Sequence, residues 1–342
     1  MTERHAKLDL RRRRTAALVL GLALQLCAPC ALLADSVIVI NEIMFHPRAG
    51  EPEWIELYNQ MGTLVDLSGW SLAGAVEYTF PAGTIVAPDS YVVVASSLEM
   101  TASPVLGPFD GKLSNAGEEI RLLNNSGRLM NRVRYDDGED WPVAADGSGC
   151  TLAKIDPTRE SDTASNWTWS DRLGGTPNAP NFSPPVAAEP LPFATGGLRL
   201  NEICPAGQSD FFVEIVNVGA EPASMADAWL EVQGSRDFRY GFEDEALDPG
   251  QYVTITPSDL GFVPQPGDRL FLGWRDDQVC DATRVGDTVT GRHPAGAGPW
   301  LFPAFPTPGQ PNEVELCADV VINEIMYHPM AMPAVDNAQG LL

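Results

Sequence analysis

The sequence predicts an all-β chain: tandem immunoglobulin-like β-sandwiches behind an N-terminal signal peptide. Three observations carry this. Gly (31) and Pro (29) make up about a sixth of the 342 residues, above average usage and suited to a fold with many turns. No segment has the period of a long amphipathic helix or a sustained heptad. Short β-branched and aromatic runs recur between Gly, Pro and Asn turns, as in sandwiches. Apolar residues form 44% of the chain, enough for real cores.

The N-terminus stands apart. Arg11 to Arg14 form a basic block, and an apolar run from Thr15 to Ala34 follows, broken only by Gln25 and Pro29. Asp35 restores polarity. A basic region, an apolar region and a small residue before a polar start describe a secretory signal peptide, residues 1–34. Leu32 is not an ideal −3 residue, and an uncleaved anchor is the competing reading. Either way the chain is expected to be secreted or held in the cell envelope, with no membrane contact beyond this segment.

Removing residues 1–34 leaves 16 bases against 44 acids, a net charge near −28. Such a surface repels phosphate backbones, so direct nucleic-acid binding is not expected. Of six cysteines, Cys27 and Cys30 fall in the signal segment, leaving Cys150, Cys204, Cys280 and Cys317. Cys204 and Cys280 lie within one repeat, and export permits a disulfide between them. The sequence leaves that pairing open, since it does not show the spacing a bridge requires. No Cys/His cluster has zinc spacing.

Internal similarity organises the rest. Asn41-Glu42-Ile43, Asn201-Glu202-Ile203 and Asn323-Glu324-Ile325 each close a β-rich opening. Trp54 to Asn59 matches Phe212 to Asn217, and Gly117 to Leu122 matches Gly267 to Leu272. Gly69-Trp70-Ser71-Leu72 matches Ala228-Trp229-Leu230-Glu231 more loosely. Thr176-Pro177-Asn178 with Asn181 matches Thr307-Pro308-Gly309 with Asn312. One sandwich is therefore expected over 36–182 and a diverged second over 197–313. Residues 183–196, rich in Pro and Ala, read as a semi-rigid linker. Residues 320–342 open a third repeat but hold about one strand, too little for a core. This tail is expected to be disordered or to pair with a sheet edge.

Strand by strand, Val37–Ile43 is a β-branched run expected to be covered on both faces. Trp54, Leu57 and Tyr58 around Glu53 and Glu56 give a half-buried strand. Ala87-Pro88-Asp89 turns into a strand over Ser90–Ala95. Ile120 and Leu122 face one way, Glu119 and Arg121 the other. A hairpin at Asn124-Asn125-Ser126-Gly127 returns Val133 and Tyr135 inward, with Arg132 and Arg134 outward.

Together these motifs resemble the lamin-tail domain in its bacterial, exported form. The residues behind the resemblance are Asn41-Glu42-Ile43, Glu53 to Asn59, Asp66 to Leu72, Leu113 to Glu118, Tyr135-Asp136-Asp137, Trp141-Pro142 and Gly175-Thr176-Pro177. The second repeat lacks the acidic-Trp pair and most of the Ser-Gly-Trp turn. The resemblance implies an immunoglobulin-like sandwich that serves as an accessory module of large surface or secreted proteins.

Few constellations invite chemistry. Asp136-Asp137-Gly138-Glu139-Asp140 is the densest acidic cluster, and weak calcium binding there is conceivable, because hard cations collect oxygen ligands. It lacks the EF-hand pattern, and a solvated turn is the favoured reading. Glu243-Asp244-Glu245 with Asp248 reads the same way. His46, His293 and His328 have no catalytic partner at readable spacing and are expected to be structural. Glu42 and Glu56 form a carboxylate pair of the kind that runs acid–base chemistry. Their recurrence as Glu202 and Glu214 points to architecture instead. Trp54, Trp70, Trp141 and Trp167 are expected in cores and turns. Asn124 and Asn166 sit in glycosylation sequons, relevant only to a eukaryotic source. No catalytic, cofactor or metal residue is assigned and no cofactor is expected. The chain reads as a non-catalytic extracellular module for adhesion, anchoring or spacing, with a protein or cell-surface ligand left unidentified. The alternative is an accessory region of a secreted nuclease-, phosphatase- or spore-coat-kinase-like enzyme whose catalytic domain lies beyond residue 342.

Overall fold

A computed structural model describes residues 36–100, 104–138, 140–182, 197–275 and 278–315. The signal segment, the 183–196 linker, Cys317, His328 and the 320–342 tail lie outside the described residues. So does Glu139 in the acidic cluster.

The first body contains β1 (Ile38–Met44), β2 (Trp54–Asn59), β3 (Val65–Asp66), β4 (Ser71–Gly74), β5 (Val76–Thr79), β6 (Ile85–Val86) and β7 (Tyr91–Ala95). It continues with β8 (Val105–Leu106), β9 (Asp110–Gly111), β10 (Glu118–Leu123), β11 (Leu129–Tyr135), β12 (Leu152–Lys154) and β13 (Trp167–Trp169). One sheet runs β13-β12-β1-β2-β7-β8 and the other β11-β10-β4-β5-β9, with β3 and β6 as a small ribbon. β1 is buried along its whole length, as its β-branched run requires. Ile40, Leu57, Leu72, Ile120, Leu122 and Val133 meet between the sheets. The hairpin forms where the turn residues predict. Asn124 Oδ1 accepts the amides of Ser126 and Arg128, and Gly127 takes φ 77°.

The second body repeats this plan. Its strands are β14 (Leu198–Ile203), β15 (Val213–Asn217), β16 (Ala223–Ser224), β17 (Ala228–Gln233), β18 (Phe238–Gly241), β19 (Ala246–Leu247), β20 (Tyr252–Ile255), β21 (Arg269–Trp274), β22 (Gln278–Arg284), β23 (Thr290–Arg292) and β24 (Trp300–Leu301). The sheets run β20-β15-β14-β23-β24 and β18-β17-β21-β22, with β16 and β19 as the ribbon. Even the irregularities recur. β1 and β2 slip register between Ile40 and Glu42, and β14 and β15 slip between Leu200 and Glu202. The residue left in each bulge is the asparagine of the opening motif, Asn41 or Asn201. Asn59 and Asn217 play a second shared part. Asn59 Nδ2 donates to the Val86 and Ala87 carbonyls, and Asn217 Nδ2 to those of Glu221 and Leu247, tying each ribbon to its sheet.

The register corrects one sequence match. Leu72 pairs with Leu122, and Leu230 pairs with Leu272. Leu72 therefore corresponds to Leu230, and Trp229 to Ser71 rather than Trp70. A one-residue slip in a strand turns a side chain to the opposite face. Trp70 accordingly lies in the first core, whereas Trp229 faces out of the second sandwich.

The outward faces differ for the same reason. On the first sandwich the face of β4, β10 and β11 carries Ser71, Glu119, Arg121, Arg132 and Arg134. The equivalent positions of the second carry Trp229, Arg269, Phe271, Ala282 and Arg284, by the pairing of β17, β21 and β22. That apolar face packs on the first sandwich, where Ala144, Cys150, Trp169 and Leu173 meet Trp229, Phe271 and Val279. Gly273 lies directly under the Trp229 ring, where a β-carbon would sit 1.9 Å from it.

The Cys204–Cys280 pairing that the sequence leaves open is not formed. Cys204 and Cys150 are buried free thiols. Cys280 packs into the second core as a small apolar residue.

Candidate functional site

Two structures concentrate the buried polar groups: a carboxylate clasp in each sandwich and a charged joint between them.

In the first clasp, Glu42 on β1 stands opposite Glu56 on β2. Both side chains are fully buried. Glu42 accepts hydrogen bonds from the Thr151 hydroxyl, from the Thr176 amide at 3.1 Å and from the Thr176 hydroxyl at 3.0 Å. Glu56 accepts from Asn41 Nδ2 at 2.9 Å and from the Asn178 amide at 2.6 Å. Asn181 closes the ring by donating to the carbonyls of Asn41 and Lys154. The closing segment Thr176-Pro177-Asn178 is thus pinned across the sheet end by two carboxylates. Gly175 admits it: its φ is 73°, and a β-carbon there would lie 2.6 Å from Glu42 Oε1.

The second clasp has the same wiring. Glu202 accepts the Thr307 amide at 3.0 Å and its hydroxyl at 3.3 Å. Glu214 accepts Asn201 Nδ2 at 2.8 Å and the Gly309 amide. Asn312 Nδ2 donates to the carbonyls of Asn201 and Arg292. Burial raises all four carboxyls above their ordinary value, Glu202 to about 7, against the hydrogen bonds that favour the charged form. The charge of Glu42 raises Glu56 further. Raised carboxyls often mark acid–base sites. Here every oxygen of the pair is occupied by a donor from the closing segment or its neighbours.

Beneath each clasp a polar side chain enters the bulge. Asn131 Oδ1 accepts the Ile40 amide at 3.0 Å, and Asp281 Oδ2, at the equivalent position, accepts the Leu200 amide at 3.1 Å. Each is backed by a cation: Asn131 Oδ1 accepts from the Ser161 hydroxyl, which accepts from the buried Lys154 Nζ at 2.7 Å, and Asp281 meets Arg292 directly at 2.9 Å.

The joint centres on Asp146, whose side chain is 4% exposed. His46 Nδ1 and Arg269 NH1 each lie 2.6 Å from Oδ1, and Arg284 NH2 lies 2.7 Å from Oδ2. Both arginines come from the second sandwich. Burial pushes the Asp146 carboxyl up, but the His46 hydrogen bond and the Arg269 charge outweigh it and hold it below the ordinary carboxylate value. Around this centre, Gln233 Nε2 donates to the Gly147 carbonyl and Trp169 Nε1 to the Val279 carbonyl, both at 3.0 Å. Arg284 also reaches the Asp137 carbonyl at 2.9 Å. The acidic cluster therefore meets an arginine on its Asp137 side, while Asp136 caps the Gly138 amide. Among the described residues no three His, Cys, Asp or Glu side chains converge to hold a metal ion.

The remaining sequence candidates fall into place individually. Glu243, Asp244, Glu245 and Asp248 are exposed. His293 Nδ1 contacts the Asn312 carbonyl at 3.2 Å. Trp54, Trp70 and Trp167 are buried, and Trp141 packs against the first core. Asn166 is buried too, with Nδ2 donating to the carbonyls of Asp156 and Glu160, so its sequon is closed to a glycan. Glu53, of the acidic-Trp pair, accepts the Leu113 amide at 2.8 Å, and Tyr135 donates to the Ser114 carbonyl. These two bonds fix the Leu113–Ser114 loop. The joint was invisible in sequence because Asp146, Arg269 and Arg284 lie far from His46 along the chain.

Residues 33–137 match the family model of the Lamin Tail Domain. The first sandwich is a lamin tail domain. The lamin tail domain family is non-enzymatic and immunoglobulin-like, compatible with a structural or binding role. The match ends at Asp137, so β12, β13 and the closing segment lie beyond it. No curated protein matches the chain. One similar solved structure is titled as the exo-β-D-glucosaminidase CsxA inhibited by a glucosamine-configured castanospermine and an amino-australine analogue. It is 11% identical, and the match covers 70% of this chain but only 26% of that one, with a TM-score of 0.18. Likeness at that score carries no argument about activity.

Proposed function

We propose that this chain is a non-catalytic extracellular module in which two sandwiches act as one stiff spacer that presents its loops and sheet edges to a protein or cell-surface ligand. The observation that carries this reading is the joint. A flexible pair of binding domains would show wet, charged faces to each other, whereas Trp229, Phe271 and Val279 are buried against the first sandwich around the Asp146 cluster. Inter-domain faces that are apolar and ion-paired resist relative motion. The clasps support the non-catalytic part. A working acid–base pair needs an approach for substrate, and in both sandwiches the Glu pair is spent on holding the chain's own closing segment.

The test is rotational diffusion of the mature chain by NMR relaxation. One correlation time for both sandwiches is expected in 0.15 M salt. Two shorter, independent times would overturn the spacer reading.

A further inference from the structure

The ribbon end of the second sandwich carries a cleft of about 410 Å³, within the roughly 300–1,000 Å³ usual for ligand sites. Small residues open it. Asn217 and Asn59 hold equivalent places, and the Oδ1 of each accepts the amide two residues on, from Gly219 and Met61. On that alignment the cleft is lined by Gly197, Gly219 and Pro222 where the first sandwich has Val37, Met61 and Leu64. Trp274, 8% exposed, forms another part of the wall. The Trp229 indole donates to the Arg275 carbonyl. Trp274 Nε1 has no hydrogen-bond partner among the described residues and is not sealed from solvent, so it is open to a ligand.

The charge of the rim indicates what that ligand carries. Glu221 lines the cleft, and none of the lining residues is basic; Arg275 follows Trp274 outside the lining. Ser224, also in the lining, pairs with Ala246 across the ribbon, and the Met225 amide donates to the Glu245 carbonyl at 2.8 Å. The exposed Glu243-Asp244-Glu245 turn is therefore fixed beside the cleft. We propose that the cleft docks an extended basic segment of a partner protein. The Trp274 N–H donates to a backbone carbonyl of that segment. A lysine or arginine side chain meets Glu221 in a charge-assisted hydrogen bond, and the 243–245 turn faces the next basic residue. The acidic rim continues from Glu221 to that turn, which suits a chain rather than a single small cation. The negative charge of the whole protein steers such a partner inward. This inference rests on the binding half of the proposed function and names its ligand class. It does not need the stiff joint, so the relaxation test and the test below fail separately.

Fluorescence anisotropy of a labelled octapeptide of alternating arginine and glycine, titrated with residues 35–342 in 0.15 M salt, tests this. Saturable binding is expected. Glu221→Gln, which alters an exposed side chain, should weaken it about tenfold, and Trp274→Phe about threefold, as loss of one charged and one neutral hydrogen bond implies. Gly219→Met/Pro222→Leu gives the cleft the residues that the first sandwich carries and should abolish binding. Glu77→Gln removes the same charge from an exposed position on β5 of the first sandwich and should leave binding unchanged. Absence of saturable binding would overturn the proposal. So would equal weakening by Glu221→Gln and Glu77→Gln, which marks diffuse attraction, or binding that survives Gly219→Met/Pro222→Leu. Methylguanidinium that competes as strongly as the peptide would also overturn it, in favour of a small-cation site.

Discussion

Asp146→Asn tests the joint most directly. The carboxylate is 4% exposed and receives His46, Arg269 and Arg284 within 2.7 Å. Asparagine has the same shape but one acceptor oxygen. If that oxygen keeps one side of the cluster, the new amide turns two donor hydrogens toward an arginine on the other. Charge-assisted hydrogen bonds contribute about 1.5–3 kcal/mol each. Removing one partner of a buried ionic cluster costs about 3–5 kcal/mol, because the remaining charges stay buried. Arg284 keeps some solvent contact, which places the expected loss near the lower end, about 3 kcal/mol. Urea unfolding at pH 7 would measure it. Asp162→Asn is the control: its pair with Arg132 is solvent-exposed, and such pairs contribute about 0–1 kcal/mol. If Asp146→Asn cost no more than Asp162→Asn, the joint would not hold the sandwiches together. Acid should act in the same direction. The Asp146 carboxyl is held below its ordinary value of 3.8, so its contribution is present above that pH and lost as pH falls through the folded value.

Three further outcomes are expected. Phe271→Arg places on the second sandwich the residue that the first carries at Arg121; it should separate the bodies and enlarge the radius of gyration in small-angle scattering, with each core intact by far-UV dichroism. Glu202 binds its proton more firmly folded than unfolded, so its stabilisation is full below pH 4.5 and fades as pH rises through about 7. Glu202→Gln should therefore shrink the difference in unfolding free energy between pH 5 and pH 8 by about 2 kcal/mol, at about 1.4 kcal/mol per unit. Asn181→Ala strips two buried carbonyls of a donor and Asn312→Ala one buried and one partly buried carbonyl, and each should lower stability by about 2–3 kcal/mol in thermal or urea unfolding.

Much of each sandwich was legible because its signals are local. The β-branched Val37–Ile43 run, the Asn124–Gly127 turn and the alternation around Ile120 and Leu122 each specify a strand or turn within a few residues. The carboxylate clasps were half legible: repetition of Glu42 and Glu56 marked them as architectural, but their partners Thr176 and Asn178 lie more than a hundred residues away. The face of the second sandwich was misread at Trp229, since a loose match at one turn hid a one-residue slip in register. The joint could not be read at all. It depends on three outward positions, Trp229, Phe271 and Ala282, that look like ordinary strand residues until the other body is present.

Those three positions also make the order of the two halves part of the structure. With the halves exchanged along the chain, Trp229, Phe271 and Ala282 would meet water, while Arg121, Arg132 and Arg134 would have to be dehydrated against a neighbour that offers no Asp146. Two bodies of one topology are therefore not interchangeable modules. A polypeptide that repeats the second half alone would present a sticky aromatic surface and should self-associate, whereas one that repeats the first half would stay dispersed.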